Sequence, residues 1–199
     1  MVDPLDKIGL FGGSFDPIHN GHLELAIQSK EILKLNRIIF VPAAIPPHKQ
    51  HLSLTDGSHR LRMVQLAIKN LPGFKVSDFE ISRKDVSYTI DTIFYFKEKY
   101  SLSKEQLFLL IGADNLVDFK NWKEPDKILE NCRVAVYQRP GFDTNQVDNE
   151  LKKQMIFLNT PLIPIASTEI RNRIRKDEDF QNMIPEDVYV YIREHSLYK

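Results

Sequence analysis

Short apolar runs alternate with helix-period stretches along almost the whole chain, and this alternation constrains the fold more than any other feature. The predicted strands are 7–11, 37–41, 74–81, 107–111, 133–137 and 155–158, and the predicted helices are 22–35, 58–71, 88–100 and 188–195. Strands that alternate with helices at this spacing predict βαβ units. The sequence therefore predicts the α/β class, with a Rossmann-like, doubly wound parallel sheet and flanking helices.

The amino-acid composition limits the kinds of partner that the protein could bind. The 199 residues carry 27 Lys and Arg against 27 Asp and Glu, so the formal net charge is zero. Nucleic acids and anionic membranes reward a basic excess, so neither is expected as a partner. The single cysteine, Cys132, excludes an intrachain disulfide and a multi-cysteine metal site. A hydrophobic content of 42% is ordinary for a globular chain, and this length suits one domain over residues 1–199.

The chain also lacks the features of export or membrane insertion. No stretch approaches the roughly 18 apolar residues that span a bilayer. Asp3 and Asp6 lie where a signal peptide would carry basic residues. These observations predict a cytoplasmic protein.

A glycine- and histidine-containing loop follows the first predicted strand. Residues 12–22 are G-G-S-F-D-P-I-H-N-G-H, which is neither a G-x-G-x-x-G nor a Walker A sequence. Glycines allow the backbone to approach a ligand closely, and a helix start favours an anion. His19 and His22, three residues apart, can both direct an N–H at one phosphate group. Two solvated surface histidines are one alternative, but a solvated turn would not need so many glycines. A zinc site is a second alternative, and it is disfavoured because no third ligand is obvious nearby.

A second element lies near the other end of the chain. Residues 165–171 are I-A-S-T-E-I-R, in which Ser167 is a candidate N-cap for a helix with free N–H groups. Arg171 follows one turn later and could bind phosphate. Taken alone, this element fits a capped helix with a solvated arginine equally well.

Together, the two elements resemble those of the nucleotidyltransferase superfamily, whose HxGH element also occurs in class I aminoacyl-tRNA synthetases. The resemblance implies that His19 and His22 contact the α-phosphate of ATP and that Arg171 contacts the β- and γ-phosphates, so these three are the expected catalytic residues. The ATP-binding residues that it implies are Gly12, Gly13, Ser14, Phe15, Gly112, Asp114, Ser167 and Thr168.

The middle of the chain resembles the bacterial nicotinate mononucleotide adenylyltransferases. Their elements occur here in the same order, as P-P-H-K at 46–49, S-Y-T at 87–89, G-A-D at 112–114, a tryptophan at 122 and R-P at 139–140. The resemblance implies adenylyl transfer from ATP to nicotinate mononucleotide in NAD biosynthesis, with deamido-NAD and pyrophosphate as products. It also implies Mg²⁺, bound mainly through the ATP phosphates. The substrate-binding residues that it implies are His48, Lys49, Tyr88, Thr89, Trp122 and Arg139.

Three of these residues carry a physical argument of their own. Trp122 lies in a polar setting, and its flat face could stack on a pyridine ring, although a tryptophan is more often a core or interface residue. Tyr88 and Thr89 begin a predicted helix, whose free N–H groups could hold a nicotinate carboxylate. A plain helix start is the simpler alternative.

The chain departs from the family pattern in one position that matters. Many relatives carry an asparagine after the second strand's proline, where this chain has Ala43 and Ala44. Lys49 or a backbone N–H would then have to make that phosphate contact. Two other functions remain open: adenylyl transfer to another acceptor, such as nicotinamide mononucleotide or phosphopantetheine, and non-catalytic nucleotide sensing.

Overall fold

A parallel sheet forms the centre of the molecule. The computed structural model describes residues 6–46, 54–138, 147–161 and 163–199. Within these ranges the strands are β1 (Ile8–Gly13), β2 (Arg37–Pro42), β3 (Phe74–Val76), β4 (Leu107–Gly112), β5 (Arg133–Tyr137) and β6 (Met155–Leu158). Every pairing is parallel, and the strand order is β3-β2-β1-β4-β5-β6. This is the order of a doubly wound Rossmann-like sheet, which confirms the predicted fold class.

Helices cover both faces of the sheet. They are α1 (Asn20–Ile32), α2 (Gly57–Ile68), α3 (Phe79–Arg83), α4 (Thr89–Tyr100), α5 (Ala113–Val117), α6 (Pro125–Asn131), α7 (Asn149–Lys153), α8 (Ser167–Arg175) and α9 (Glu186–Glu194). Successive strand side chains point to opposite faces. Phe11 of β1 packs in the core shared with α1, α2, α8 and α9, and its neighbour Leu10 packs in the core shared with α4, α5, α6 and α7.

The strand order places a crevice at the carboxyl end of β1. The chain proceeds from β1 outward to β2 and β3, and from β4 outward to β5 and β6 on the other side. The connections after β1 and β4 therefore diverge, and ligands of such sheets bind in the crevice that this divergence opens. The motif loop after β1 and the segment after β4 that begins at Gly112 both lie there.

Two predicted elements differ from the structure. The predicted strand 74–81 ends at Val76, and α3 follows it. The polar pair Ser77–Asp78 causes the break, since the Ser77 Oγ accepts from the Phe79 N–H at 3.2 Å and starts a turn. The predicted closing helix 188–195 begins two residues earlier, at Glu186 of α9, with Pro185 as its N-cap.

Candidate active site

The two motif histidines cap helix α1 reciprocally. His19 is the N-cap residue, and its Nδ1 accepts from the His22 backbone N–H at 3.3 Å. The His22 Nδ1 accepts from the His19 backbone N–H, also at 3.3 Å. This is a capping box in which imidazoles replace the usual hydroxyl and carboxamide groups. The spacing of three residues is therefore set by helix geometry.

The capping arrangement also fixes the tautomer of each imidazole. Because both Nδ1 atoms accept hydrogen bonds, we assign the ring proton of each neutral histidine to Nε2. The rings stack with centroids 3.7 Å apart, and Phe15 packs edge-on against His22. The side chains of His19 and His22 are 5% and 8% exposed. Two adjacent Nε2–H donors are thus held in fixed orientation.

Gly21 is required by the position of the His19 ring. A Cβ added at Gly21 would lie 3.0 Å from the His19 Nδ1 and 3.4 Å from Ile163. Any side chain at this position would therefore press on the imidazole that caps the helix. The glycine between the two histidines thus has a packing reason.

Helix α8 contacts the motif loop directly. The Ser167 hydroxyl donates to the Pro17 carbonyl at 2.9 Å, and the Arg171 Nη1 donates to the Asp16 carbonyl at 2.7 Å, across 150 and 155 residues of chain. The Arg171 Nη2 lies 3.4 Å from the Thr168 hydroxyl. Two elements from opposite ends of the sequence thus meet at one point.

Ser167 does not cap helix α8 as the sequence predicted. The N-cap is Ala166, which makes no side-chain capping bond, and Ser167 is the first helical residue. Its hydroxyl is used in the contact with Pro17 instead of in capping.

A cavity of about 340 Å³ opens at the carboxyl ends of β1 and β4. Its size is within the range of small-molecule sites. Many of the residues predicted from the sequence line it: Gly12, Gly13, Ser14, His22, Tyr88, Thr89, Gly112, Asp114 and Trp122. His22 of the histidine pair and the start of α4 thus border the same space.

The start of helix α4 is suited to an anion. Tyr88 is its N-cap residue and makes no side-chain capping bond, and both Tyr88 and Thr89 line the cavity. The Lys123 ammonium lies 4.6 Å from the centre of the Tyr88 ring and 3.2 Å from an Asp91 carboxylate oxygen. Helix N-termini carry partial positive charge, and the Lys123–Asp91 ion pair beside this one leaves that charge largely unchanged because its two charges offset each other.

Trp122 borders the same end of the cavity. Its ring packs against Phe119 with centroids 5.3 Å apart. Within the described part of the chain, its buried Nε1 has no hydrogen-bond partner. The indole is thus placed by packing, beside Tyr88 and Thr89 in the cavity wall.

Glu80 of α3 lines the cavity, and the sequence reasoning missed it. Its carboxylate accepts from the Thr92 hydroxyl of α4, which is 5% exposed, and from Ser87. Burial raises the pKa of Glu80 above its ordinary value, and the two hydroxyl donors partly oppose this. The residue was missed because 74–81 was predicted as one strand, which hides the helix that turns Glu80 towards α4.

The alanines after β2 use their backbone donors within the protein. The Ala43 N–H donates to the Gly13 carbonyl and the Ala44 N–H to the Ser87 hydroxyl, both at 2.9 Å. The two amides therefore join the loop after β2 to the motif loop and to the start of α4. A ligand contact from either N–H would have to replace one of these bonds.

The remaining predicted residues have other surroundings. The Phe15 ring is 2% exposed in the core, so only its backbone, which has a left-handed φ of 48°, remains for a nucleotide contact. His19, Ser167, Thr168 and Arg171 lie beside the motif loop rather than in the cavity wall. His48, Lys49 and Arg139 lie outside the described residues. Besides Glu80, the cavity wall contains further polar residues that were not predicted as site residues: Ser87, Thr92, Asn115, Asn121 and Lys123.

Comparison with known proteins shows the family to which the chain belongs. The cytidylyltransferase-like family model matches residues 10–173. A relative from Clostridium tetani, named "probable nicotinate-nucleotide adenylyltransferase", is 42% identical over 98% of this chain and 100% of its own length. One with the same name from Thermoanaerobacter is 40% identical over 97% of this chain and 94% of its own.

Solved structures show the same fold. Nicotinic acid mononucleotide adenylyltransferase of Plasmodium falciparum, complexed with NaAD, matches with a TM-score of 0.76 and 24% identity over 97% of each chain. The same protein complexed with APC matches equally well, at 23% identity.

Fold and sequence together define a nucleotidyltransferase of the cytidylyltransferase-like class. Within that class, the chain belongs to the nicotinate-nucleotide adenylyltransferase family. In the described ranges, no helix has the length and apolar character needed to cross a membrane.

Proposed function

We propose that the protein transfers the adenylyl group of ATP to nicotinate mononucleotide, giving deamido-NAD and pyrophosphate in NAD biosynthesis. The observation that carries the proposal is the contact of α8 with the motif loop, which brings Arg171 to the loop that holds both histidines. The chain acts as a single nucleotidyltransferase domain over residues 1–199, in the cytoplasm.

The ATP end of the site consists of the motif loop, the start of α8 and the end of β4. His19 and His22 donate from Nε2 to the α-phosphate, where charge develops during the transfer. Arg171, together with Ser167 and Thr168 at the uncapped start of α8, holds the departing pyrophosphate. Gly12, Gly13 and the backbones of Ser14 and Phe15 allow the nucleotide to lie close to the chain, and Gly112 and Asp114 contact the adenosine ribose.

The mononucleotide end of the site lies across the cavity. The pyridine ring stacks on Trp122, and its carboxylate accepts from backbone N–H groups at the start of α4, beside Tyr88 and Thr89. His48, Lys49 and Arg139 are proposed to bind the mononucleotide on the strength of the sequence alone.

The reaction needs no general base, because the attacking phosphate oxygen is already an anion. Catalysis then consists of holding the two substrates in line and stabilising the charge that develops on the α-phosphate. The reciprocal capping of α1 supports this role, since both imidazoles are oriented before the substrates bind. Oriented donors lose little energy to reorganisation during the reaction.

Mg²⁺ fits this site as a phosphate-bound ion. The described residues contain no group of three or more histidine, cysteine, aspartate or glutamate side chains arranged to hold a metal. Mg²⁺ needs only one or two protein carboxylates when substrate phosphates supply the other ligands, and the described cavity wall contains two, Glu80 and Asp114. When bound, the ion would neutralise part of the charge of the phosphates.

The test is an acceptor comparison. The protein is incubated with ATP, Mg²⁺ and either nicotinate mononucleotide, nicotinamide mononucleotide or phosphopantetheine, and pyrophosphate release is measured. We expect fastest release with nicotinate mononucleotide. Faster release with another acceptor would reassign the substrate, and ATP binding without release in any arm would indicate a nucleotide sensor.

Two single variants, each at a histidine, test the catalytic role of His22. His22→Ala removes one aligned donor and should lower kcat by roughly 10²–10³-fold. His195→Ala removes an exposed histidine at the end of α9 and should leave kcat unchanged. Equal activity of the two variants would remove His22 from the mechanism.

A further inference from the structure

A cluster of buried charged side chains lies beneath the motif loop. Arg60 of α2 is 1% exposed and Asp16 of the loop is 4% exposed. Burying charged groups is strongly unfavourable unless they are paired and hydrogen-bonded. None of the sequence motifs assigned a role to Arg60, although it is among the largest fully buried side chains in the described part of the molecule.

Arg60 joins three separate segments of chain. Its guanidinium donates to the carbonyls of Thr55 and Ser14 at 2.8 Å, and to that of Ala44 at 3.4 Å. These carbonyls belong to the segment before α2, the motif loop and the loop after β2. Burial lowers the pKa of Arg60, and the nearby Asp16 carboxylate opposes that shift. Asp16 thus supplies the negative charge that the neutral carbonyls cannot.

Tyr198, next to the last residue of the sequence, completes the cluster. Its hydroxyl donates to the Asp16 Oδ1 at 2.8 Å and lies 4.0 Å from the Met63 Sδ. Burial and the neighbouring carboxylate raise the pKa of Tyr198, so the phenol remains a donor at neutral pH. The Thr55 N–H donates to the other Asp16 oxygen at 3.4 Å. The Asp16 side chain is therefore held from two directions.

The backbone of the same aspartate holds Arg171. The Asp16 carbonyl accepts from the Arg171 Nη1 at 2.7 Å, so the position of that carbonyl orients the guanidinium. A displacement of Asp16 would move the acceptor and release Arg171 from its orientation. The chain of contacts runs from Tyr198 through Asp16 to Arg171.

We propose that Tyr198 is a positioning residue for Arg171, acting through Asp16. The proposal rests on the proposed function in one respect: Arg171 contacts the β- and γ-phosphates of ATP. Tyr198 itself touches no substrate. Its effect should therefore appear in binding of the triphosphate and not in binding of the adenosine part of the nucleotide.

Tyr191 provides a matched control. It lies on α9 near the same end of the chain, and its hydroxyl bonds to the His59 Nδ1 of α2 at 2.8 Å. Tyr191→Phe removes one partly buried phenolic hydrogen bond, which joins α9 to α2. Tyr198→Phe likewise removes one partly buried phenolic hydrogen bond, which joins Tyr198 to the motif loop. Of these two tyrosines, Tyr198 is the one that is hydrogen-bonded to Asp16. A general loss of stability would affect both variants alike.

The experiment compares ATP and AMP binding by calorimetry in the full chain. Tyr198→Phe should weaken ATP binding about tenfold, the effect of one hydrogen bond to a charged group, and change AMP binding less than about twofold. Tyr191→Phe should change neither. In an Arg171→Lys background, Tyr198→Phe should have no further effect on ATP binding, because the residue that it positions is absent.

Two results would overturn the proposal. One is an equal ratio of ATP to AMP affinity in Tyr198→Phe and Tyr191→Phe. The other is a double variant whose loss of ATP affinity equals the product of the losses in Tyr198→Phe and Arg171→Lys alone. The binding measurement needs no acceptor, so it stands apart from the pyrophosphate assay that decides the proposed function. Inactivity of the wild-type protein would refute the proposed function, whereas unchanged ATP binding in Tyr198→Phe would refute the positioning role.

Discussion

Arg60→Met tests whether the buried cluster holds the loops at the edge of the sheet. Methionine keeps the apolar contacts of the side chain and removes the guanidinium, whose two bonds of 2.8 Å to Thr55 and Ser14 are lost. Hydrogen bonds to charged groups contribute about 1.5–3 kcal/mol each, so the loss of two such bonds removes about 3–6 kcal/mol before the surrounding structure relaxes. We therefore expect the free energy of unfolding to fall by about 3–5 kcal/mol.

Chemical denaturation followed by circular dichroism measures this loss. Arg62→Met, an exposed position on the same helix, is the control and should change the free energy of unfolding by less than about 0.5 kcal/mol. Adding Asp16→Asn should restore part of the loss in Arg60→Met, since the remaining charge is then removed as well. Additive losses in the double variant, or an Arg60→Met variant as stable as Arg62→Met, would refute the reasoning.

Three further substitutions test single residues. Trp122→Ala should raise the KM for nicotinate mononucleotide with little change in the KM for ATP, because stacking contributes about 1–3 kcal/mol; equal KM values for the mononucleotide would remove Trp122 from the site. Gly21→Ala should lower kcat, since its Cβ would lie 3.0 Å from the His19 Nδ1, without lowering Tm, because alanine is favoured over glycine within helices by about 1 kcal/mol. A fall in Tm with unchanged kcat would contradict that account. Glu80→Gln tests the buried carboxyl: burial raises the folded-state pKa of Glu80 above its ordinary value of 4.5, so ionisation destabilises the wild type as pH rises through that pKa. The variant should gain stability relative to the wild type from pH 4.5 upward, and a difference in Tm independent of pH would refute it.

Short apolar runs were sufficient to predict the sheet, because strands that are buried on both faces of a parallel sheet are nearly continuous in apolar residues. The runs at 107–111 and 133–137 became β4 and β5 with shifts of at most one residue. The failure at 74–81 has a local cause. Phe79 and Ile81 extend the apolar content of the run but lie in the opposite phase to Phe74 and Val76, and the hydrogen bonds of Ser77 and Asp78 start helix α3 at this point.

The motif residues of the candidate site were easier to predict than the buried residues that hold the motif loop in place. The H-x-x-H spacing indicated a helix start, although it did not indicate that His19 and His22 cap the helix for each other. Arg60 gave no signal, since an arginine within an amphipathic helix is normally solvated. Its burial follows from three carbonyls that tertiary structure brings together. Contacts between distant segments of this kind have no local pattern in the sequence.

A crystal structure with a non-hydrolysable ATP analogue tests the central claim most directly. The account predicts one bound triphosphate that bridges the two motif elements. Its α-phosphate should lie within hydrogen-bonding distance of the Nε2 atoms of His19 and His22, and its β- and γ-phosphates should contact Arg171 and the start of α8. A nucleotide whose phosphates contact neither the histidine pair nor Arg171 would contradict it.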